Sequence, residues 1–211
     1  MTTDVTVEAG RPWRGMSPLE RREARRRRLL AAGLELFGTV GYGGTSLTAL
    51  CALGGVSPRH FYEIHPGREQ LLEELYGEIS AEQACAVAAA QARAPLTVHD
   101  QVRSGVSAAV GALTEDPRRA RVVLLEIVGV GPGLRRERTQ QLARVLTTSH
   151  DRLVAAGVLA AREFQPLAVA LVGALHELLV DWLLTAPRPE DADVRAAAEQ
   201  VFTIFYEGRP G

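Results

Sequence analysis

The sequence predicts an all-α protein of about nine helices, with an N-terminal three-helix helix-turn-helix unit and a larger C-terminal helical domain. Three observations carry this. Apolar residues recur at helical rather than alternating spacing, and no stretch alternates long enough to count as a strand. A cap residue followed by proline, the signature of a helix start, appears at Ser17-Pro18, Ser57-Pro58 and Asp116-Pro117. Between Gly41 and Leu72 two short helical patterns are joined by Gly54-Gly55-Val56, a turn tight enough to set one helix across another.

Taken in order, Ser17-Pro18-Leu19-Glu20 forms a capping box for the first helix, in which Leu29, Leu30, Leu34 and Phe37 keep one face until Gly41 ends it. Ser46 caps the second helix, which places Leu47, Leu50 and Leu53 inward and stops at Gly54-Gly55. Ser57 caps a short third helix that ends before Pro66. A fourth runs from Arg68 to Arg93, ahead of Pro95; a fifth, capped by Thr97, runs to Thr114. Asp116-Pro117 opens a sixth that continues to Val128, and Gly131-Pro132-Gly133 reads as a hinge or turn before a seventh ending at Gly157. The eighth, Pro166 to Thr185, is apolar on nearly every side, so it is either enclosed or packed on a partner. The ninth, Glu190 to Tyr206, shows one apolar stripe.

Charge is distributed unevenly. The chain as a whole carries −1, yet residues 10–68 hold arginines at 11, 14, 21, 22, 25, 26, 27, 28, 59 and 68 against four glutamates, a surplus of six positive charges. Every basic residue is arginine, a bias expected of a GC-rich genome rather than a functional signal. Local basicity on a near-neutral chain fits a nucleic-acid reader attached to something else. Cys51 and Cys85 lie far apart with no CxxC, and are expected to be small buried apolar residues. No charge-free apolar run is long enough for a convincing membrane span. Residues 1–16 lack a signal-peptide core and read as a disordered arm, so a cytoplasmic location is expected. The domain boundaries that follow are 17–65 for the helix-turn-helix unit and 66–211 for the helical remainder, joined by the fourth helix.

Several segments together resemble the tetracycline-repressor (TetR/AcrR) family: Ala32-Gly33-Leu34-Glu35-Leu36-Phe37, Gly41-Tyr42, Thr45-Ser46-Leu47, Gly55-Val56-Ser57, Phe61-Tyr62 and Pro66 to Leu72. The specific likeness covers some fifty residues; the rest agrees in helix number and length. Ile64-His65 stands where the family usually has an aromatic before the proline, and Gly67 takes the usual cap position of the fourth helix. The resemblance implies a homodimeric, ligand-responsive transcription regulator, most often a repressor, that binds a palindromic double-stranded operator and is released by a small molecule.

Under that resemblance Ser57, Pro58, Arg59 and His60 open the recognition helix, whose first turn meets base edges. Arg59 suits guanine because its fork matches O6 and N7 together. Thr45 and Ser46 open the second helix, where amides and hydroxyls suit a phosphate, and Tyr62 and Arg68 would be further phosphate clamps. Arg25, Arg26, Arg27 and Arg28 would track the DNA backbone or a minor groove. The C-terminal helices would supply an effector pocket and a dimer interface. Glu126 and His176 interrupt apolar segments and so need partners, making them candidate ligand contacts, with Leu124, Ile127, Leu175 and Trp182 as apolar wall. Leu171, Leu178, Val194, Ala198, Val201, Phe202 and Phe205 are the candidate dimer face. No cofactor and no metal site is expected, since His99, His150 and His176 have no ligand spacing. Two other classes were weighed. An enzyme on a helical bundle lacks a nucleophile elbow, phosphate loop or Glu-x-x-His pair. A membrane-surface or interaction protein using the basic Arg21–Arg28 segment leaves the Gly55-Val56-Ser57 turn unexplained.

Overall fold

A computed structural model describes residues 17–130 and 132–207; the expected arm at 1–16, and Gly131 of the expected hinge, lie outside the described residues. Within them the chain forms nine α-helices and no strand. They are α1 (Pro18–Thr39), α2 (Leu47–Gly54), α3 (Pro58–Tyr62), α4 (Arg68–Arg93), α5 (Val98–Thr114), α6 (Pro117–Arg121), α7 (Pro132–Ala155), α8 (Gln165–Leu184) and α9 (Asp191–Glu207).

The local signals act as expected. Ser17 accepts from the Glu20 amide while Glu20 returns the bond to the Ser17 amide, a complete capping box. Ser46, Ser57, Thr97 and Asp116 each accept an amide hydrogen bond from the first turn they precede. Gly67 caps α4 without a side-chain bond. Gly41 and Gly55 take positive φ, 89° and 59°, at the ends of α1 and α2, where a side chain would be strained.

α1, α2 and α3 close around Leu29, Phe37, Leu50 and Phe61, all without exposed surface. Each such side chain contributes about 1.5–3 kcal/mol of burial. α4 continues from this unit into the bundle, where it packs on α5 and α7; α9 packs on α5 and α8, and α8 on α7. α8 is the described helix long and apolar enough to cross a membrane. Leu171, Val172, Leu175, Leu179 and Trp182 on it are buried in the bundle, while Glu177 and Asp181 are exposed.

The sixth helix departs from expectation. It is α-helical only to Arg121; residues Val122–Glu126 form a π-helical turn, with the Ile127 amide reaching back to the Val122 carbonyl. This α6–π segment sits against α1. Contact there is close: a Cβ on Gly38 of α1 would stand 2.4 Å from Cβ and 2.8 Å from Cα of Arg118. Gly38→Ala should therefore force α1 and α6 apart and destabilise the protein by about 1–3 kcal/mol, measurable as a lowered denaturation midpoint. An unchanged midpoint would mean the two helices separate freely.

Candidate DNA interface and effector cavity

The helix-turn-helix presents the first turn of α3 to solvent. Pro58 and Arg59 are exposed, Arg59 nearly completely, and Tyr62 is 58% exposed. Ser57 both caps the helix and meets Nδ1 of His60 at 3.0 Å, so its hydroxyl orients that ring. Among the described residues Arg59 is held only by Glu63 one turn on, at 3.4 Å across an exposed surface, a pairing weak enough to exchange for a base or phosphate. Ser46 is exposed at the start of α2. Thr48, in the first turn of α2, is exposed as well and was not singled out in the sequence.

Other residues expected at DNA are already engaged inside the protein. Arg26 is gripped by three carboxylates, Glu23 on its own helix and Glu74 and Glu78 on α4. These bonds, Glu23 foremost, raise its pKa further and remove it from the free basic face. Thr45 is buried and donates to the Gly41 carbonyl at 2.7 Å. Arg68 donates to the Tyr42 and Thr45 carbonyls and stacks its guanidinium 4.9 Å above the Tyr42 ring. It clamps the α1–α2 loop. Arg25 is half-buried and 3.9 Å from Glu63. Arg27 and Arg28 remain exposed, Arg28 beside the Gly55 turn. The membrane-surface alternative weakens with the same facts, because the arginine run is not a uniform free patch.

Glu126 corrects the pocket expectation. Its side chain leaves the bundle and faces the reader, where Oε2 accepts the Tyr42 amide at 2.7 Å and Oε1 accepts Nε of Arg121 at 2.8 Å. In an α-helix residues five apart lie about 140° apart around the axis, so Arg121 and Glu126 could not pair; the π turn brings them to one face. Gly41 leaves the room: a Cβ there would stand 3.0 Å from the Arg121 guanidinium and 3.3 Å from both Glu126 oxygens. Arg118 makes a second tie, to Glu35 of α1, while also holding Asp116.

A narrow apolar cavity does lie in the bundle, among α4, α5, α7, α8 and α9, with about 10 Å³ of free space. Of the expected ligand residues Leu175 lines it. Leu124 and Ile127 are core, His176 is partly accessible on α8, and Trp182 is buried with its Nε1 donating to the Pro189 carbonyl at 3.0 Å. The cavity's polar members, Gln91 and Tyr206, were missed; the signal was a glutamine in the alanine-rich run Ala84 to Arg93.

The expected dimer stripe also divides. Leu171, Val194, Ala198 and Phe202 are buried within the single chain, because the α9 stripe faces α5 and α8. Phe205, 41% exposed, faces outward, as does Ile204 at 61%. Leu178 and Val201 are half-buried beside the core. Cys51 is buried as expected, but Cys85 is exposed. Among the described residues no cluster of three His, Cys, Asp or Glu side chains is placed to hold a metal.

Three histidines, His65 and His150 enclosed and His176 partly accessible, have depressed pKa values. Burial lowers His65, against the opposing pull of Glu74 at 3.3 Å. Burial, then Arg162, lowers His150. Burial, then Arg135, takes His176 down to about 4. The unfolded chain takes up protons near pH 6.5 while these folded sites do not. Stability is therefore full above pH 6.5 and declines as pH falls toward 4. Denaturant titrations at pH 7.5 and pH 5 should show lower stability at pH 5, and His176→Leu should narrow the gap. Equal stability at both pH values would contradict the assignment.

Residues 29–75 match the family model described as bacterial regulatory proteins, tetR family. No curated protein sequence matches the chain. Solved structures share its fold along nearly the whole length. The fatty acid degradation regulator FadR of Bacillus halodurans superimposes with a TM-score of 0.75 at 16% identity, covering 90% of this chain and 96% of that one. FadR of Bacillus subtilis, solved with stearoyl-CoA, gives 0.74 at 16% identity, with 87% and 99% covered. A TetR-family regulator from Syntrophomonas wolfei gives 0.71 at 15% identity, with 87% and 95% covered. At such identities the structures speak for the fold, and over residues 29–75, the helix-turn-helix segment, the chain is similar to the tetR family of bacterial regulatory proteins.

Proposed function

We propose that the protein is a homodimeric, sequence-specific DNA-binding repressor of the cytoplasm, released from a palindromic operator by a small molecule bound in the bundle cavity. The observation that carries this is the exposed first turn of α3, with Arg59 and His60 free to meet base edges while Arg68, Thr45 and Glu126 fix the loop behind it. A rigidly backed short helix with an open N-terminal turn is what major-groove reading needs. Ser46, Ser57, Tyr62, Arg27 and Arg28 surround it as phosphate contacts. Ile204, Phe205, Leu178 and Val201 offer the outward apolar face for a second copy. Two-fold pairing through α8 and α9 would set two recognition helices for successive major grooves, about 34 Å apart.

The route from cavity to reader runs through the α6–π segment. A ligand that spreads α5 and α8 displaces this segment, and with it Arg118 on Glu35 and Glu126 on the Tyr42 amide. The ligand then favours the conformer in which the reading helices are misplaced, and affinity for DNA falls.

DNA selected from a random pool should yield a palindrome, with footprints on both half-sites. Arg59→Ala should cost about 1–3 kcal/mol on that site and relax its sequence preference. Equal losses on selected and scrambled DNA would reassign Arg59 to phosphate, and asymmetric, sequence-indifferent footprints would overturn the reading.

Glu126→Ala leaves the Tyr42 amide and the Arg121 guanidinium without their acceptor. Ligand-free operator affinity should drop about tenfold, as expected when one buried hydrogen-bonding group worth about 1–3 kcal/mol is orphaned. The check is operator titration by anisotropy beside thermal unfolding. An unaltered affinity in a destabilised variant would make Glu126 structural and place the coupling elsewhere.

A further inference from the structure

The cavity is apolar along its length but carries an unmet acceptor. Gln91 on α4 is 4% exposed and lines it. Its amide orientation is fixed by a reciprocal pair: Nε2 donates to the Gln101 carbonyl at 3.4 Å, and Nε2 of Gln101 donates to the Gln91 carbonyl at 3.0 Å. Turned over, the Gln91 oxygen would face the Gln101 carbonyl oxygen, two acceptors in contact. Oε1 is thereby left buried with no donor among the described residues. Space for this amide is built in, since a Cβ on Gly105 of α5 would lie 2.7 Å from Nε2. A buried acceptor left unmet costs about 1–3 kcal/mol, and leucine would fill this wall without that cost.

A second unmet group lies beside a cavity residue. His150 continues the α7 stripe of Leu142 and Leu146, which line the cavity. It is 1% exposed, stacks on Phe164 at 4.1 Å and 3°, and lies 6.1 Å from the ring of Tyr206, itself a cavity residue. Neither ring nitrogen has a partner among the described residues. Burial keeps the imidazole neutral, so it offers one donor and one acceptor. Among the described residues no charged side chain lines the cavity; Arg152, which donates to the Gln91 carbonyl at 3.2 Å, is outside the lining. An ionised head group would have to be stripped of water there without a counter-ion, which is strongly unfavourable.

We propose that the cavity takes a neutral amphiphile, whose aliphatic body lies along Val102, Val106, Leu142 and Val172 and whose hydroxyl head donates to Oε1 of Gln91. The inference rests on the effector-cavity reading above and deepens it by naming the ligand class. The walls are aliphatic side chains from several helices rather than backbone, so they part for a slender chain at the expense of packing contacts. The hydroxyl compensates by satisfying an acceptor that is otherwise orphaned. It is this difference between met and unmet polar groups, and not apolar area, that selects the ligand class.

The test is calorimetric titration of the full chain, without DNA, by three probes that carry an unbranched eight-carbon chain: n-octanol, octyl methyl ether and octanoate. The ether keeps the chain and an acceptor oxygen but has no proton to donate, and octanoate is ionised. Octanol should bind at least about tenfold more tightly than either, the equivalent of one hydrogen bond worth about 1.4 kcal/mol. Gln91→Leu, of similar volume, should bring octanol down to the level of the ether. Should that variant fail to fold, the ranking of the three probes on the natural protein decides alone. An ether equal to octanol, octanoate as the tightest probe, or no saturable binding by any of them would overturn the proposal. The last result would leave Gln91 satisfied by a single trapped water, for which the cavity has room. Because DNA is absent from the titration, failure to bind a palindrome would strike the operator reading and leave this result standing, and the converse also holds.

Discussion

The Glu126 carboxylate is the tie on which the arrangement of reader and bundle depends. Its side chain is only 13% exposed, and a carboxylate so enclosed is tolerated when its oxygens are used. One oxygen takes the Tyr42 amide and the other the Arg121 guanidinium, so the acid joins the end of α1 to the π turn after α6. From the other side Arg68 of α4 holds the Tyr42 and Thr45 carbonyls. The loop 41–45 that sets the tilt of α2 and α3 is thus gripped by two helices belonging to the bundle. Any shift of α6 relative to α4 must be taken up by that loop, since hydrogen bonds on both sides are directional.

That geometry gives the closed cavity its significance. Side chains from five helices meet around about 10 Å³ of free space, close to the packing of a protein interior. Opening it costs contacts along every wall, and only differential binding to the opened form can repay them. A ligand moving the equilibrium from one conformer in a hundred to ninety-nine must favour the open form by about 5.5 kcal/mol. Several newly buried methylenes, at about 0.8 kcal/mol each, together with one satisfied hydrogen bond, are of that order.

What the sequence revealed, and what it concealed, divides by range. Every cap inferred from it, at Ser17, Ser46, Ser57, Thr97 and Asp116, is present, because capping is settled within three residues. Helix order followed from the same local rules, whereas the end of the sixth helix did not. Side-chain destinations did not. Glu126 was read as a pocket group because it interrupts the apolar run Val122 to Val128 and needs a partner; the π turn, invisible in the pattern, gives it that partner in Arg121. Phe202 and Ala198 share one stripe with Val201, and a stripe says that a face is buried without saying whether α5 of the same chain or a second copy covers it. Gln91 was overlooked because a single glutamine on an alanine-rich helix looks solvated until its burial is known.

The arginine run shows why charge density is a poor guide to contact. Four consecutive arginines, 25 to 28, advance about 100° per residue around α1, so they cannot share a face. Arg26 turns to Glu74 and Glu78 of α4, Arg25 toward Glu63 beyond α3, and Arg28 toward the Gly55 turn, with Arg27 left in solvent. One part of the run fastens α1 to the fourth helix and another stays exposed. The same composition therefore serves two physical ends. The inward arginine, bound to three carboxylates, fixes the angle between α1 and α4, and that angle decides where the outward ones can meet a phosphate backbone.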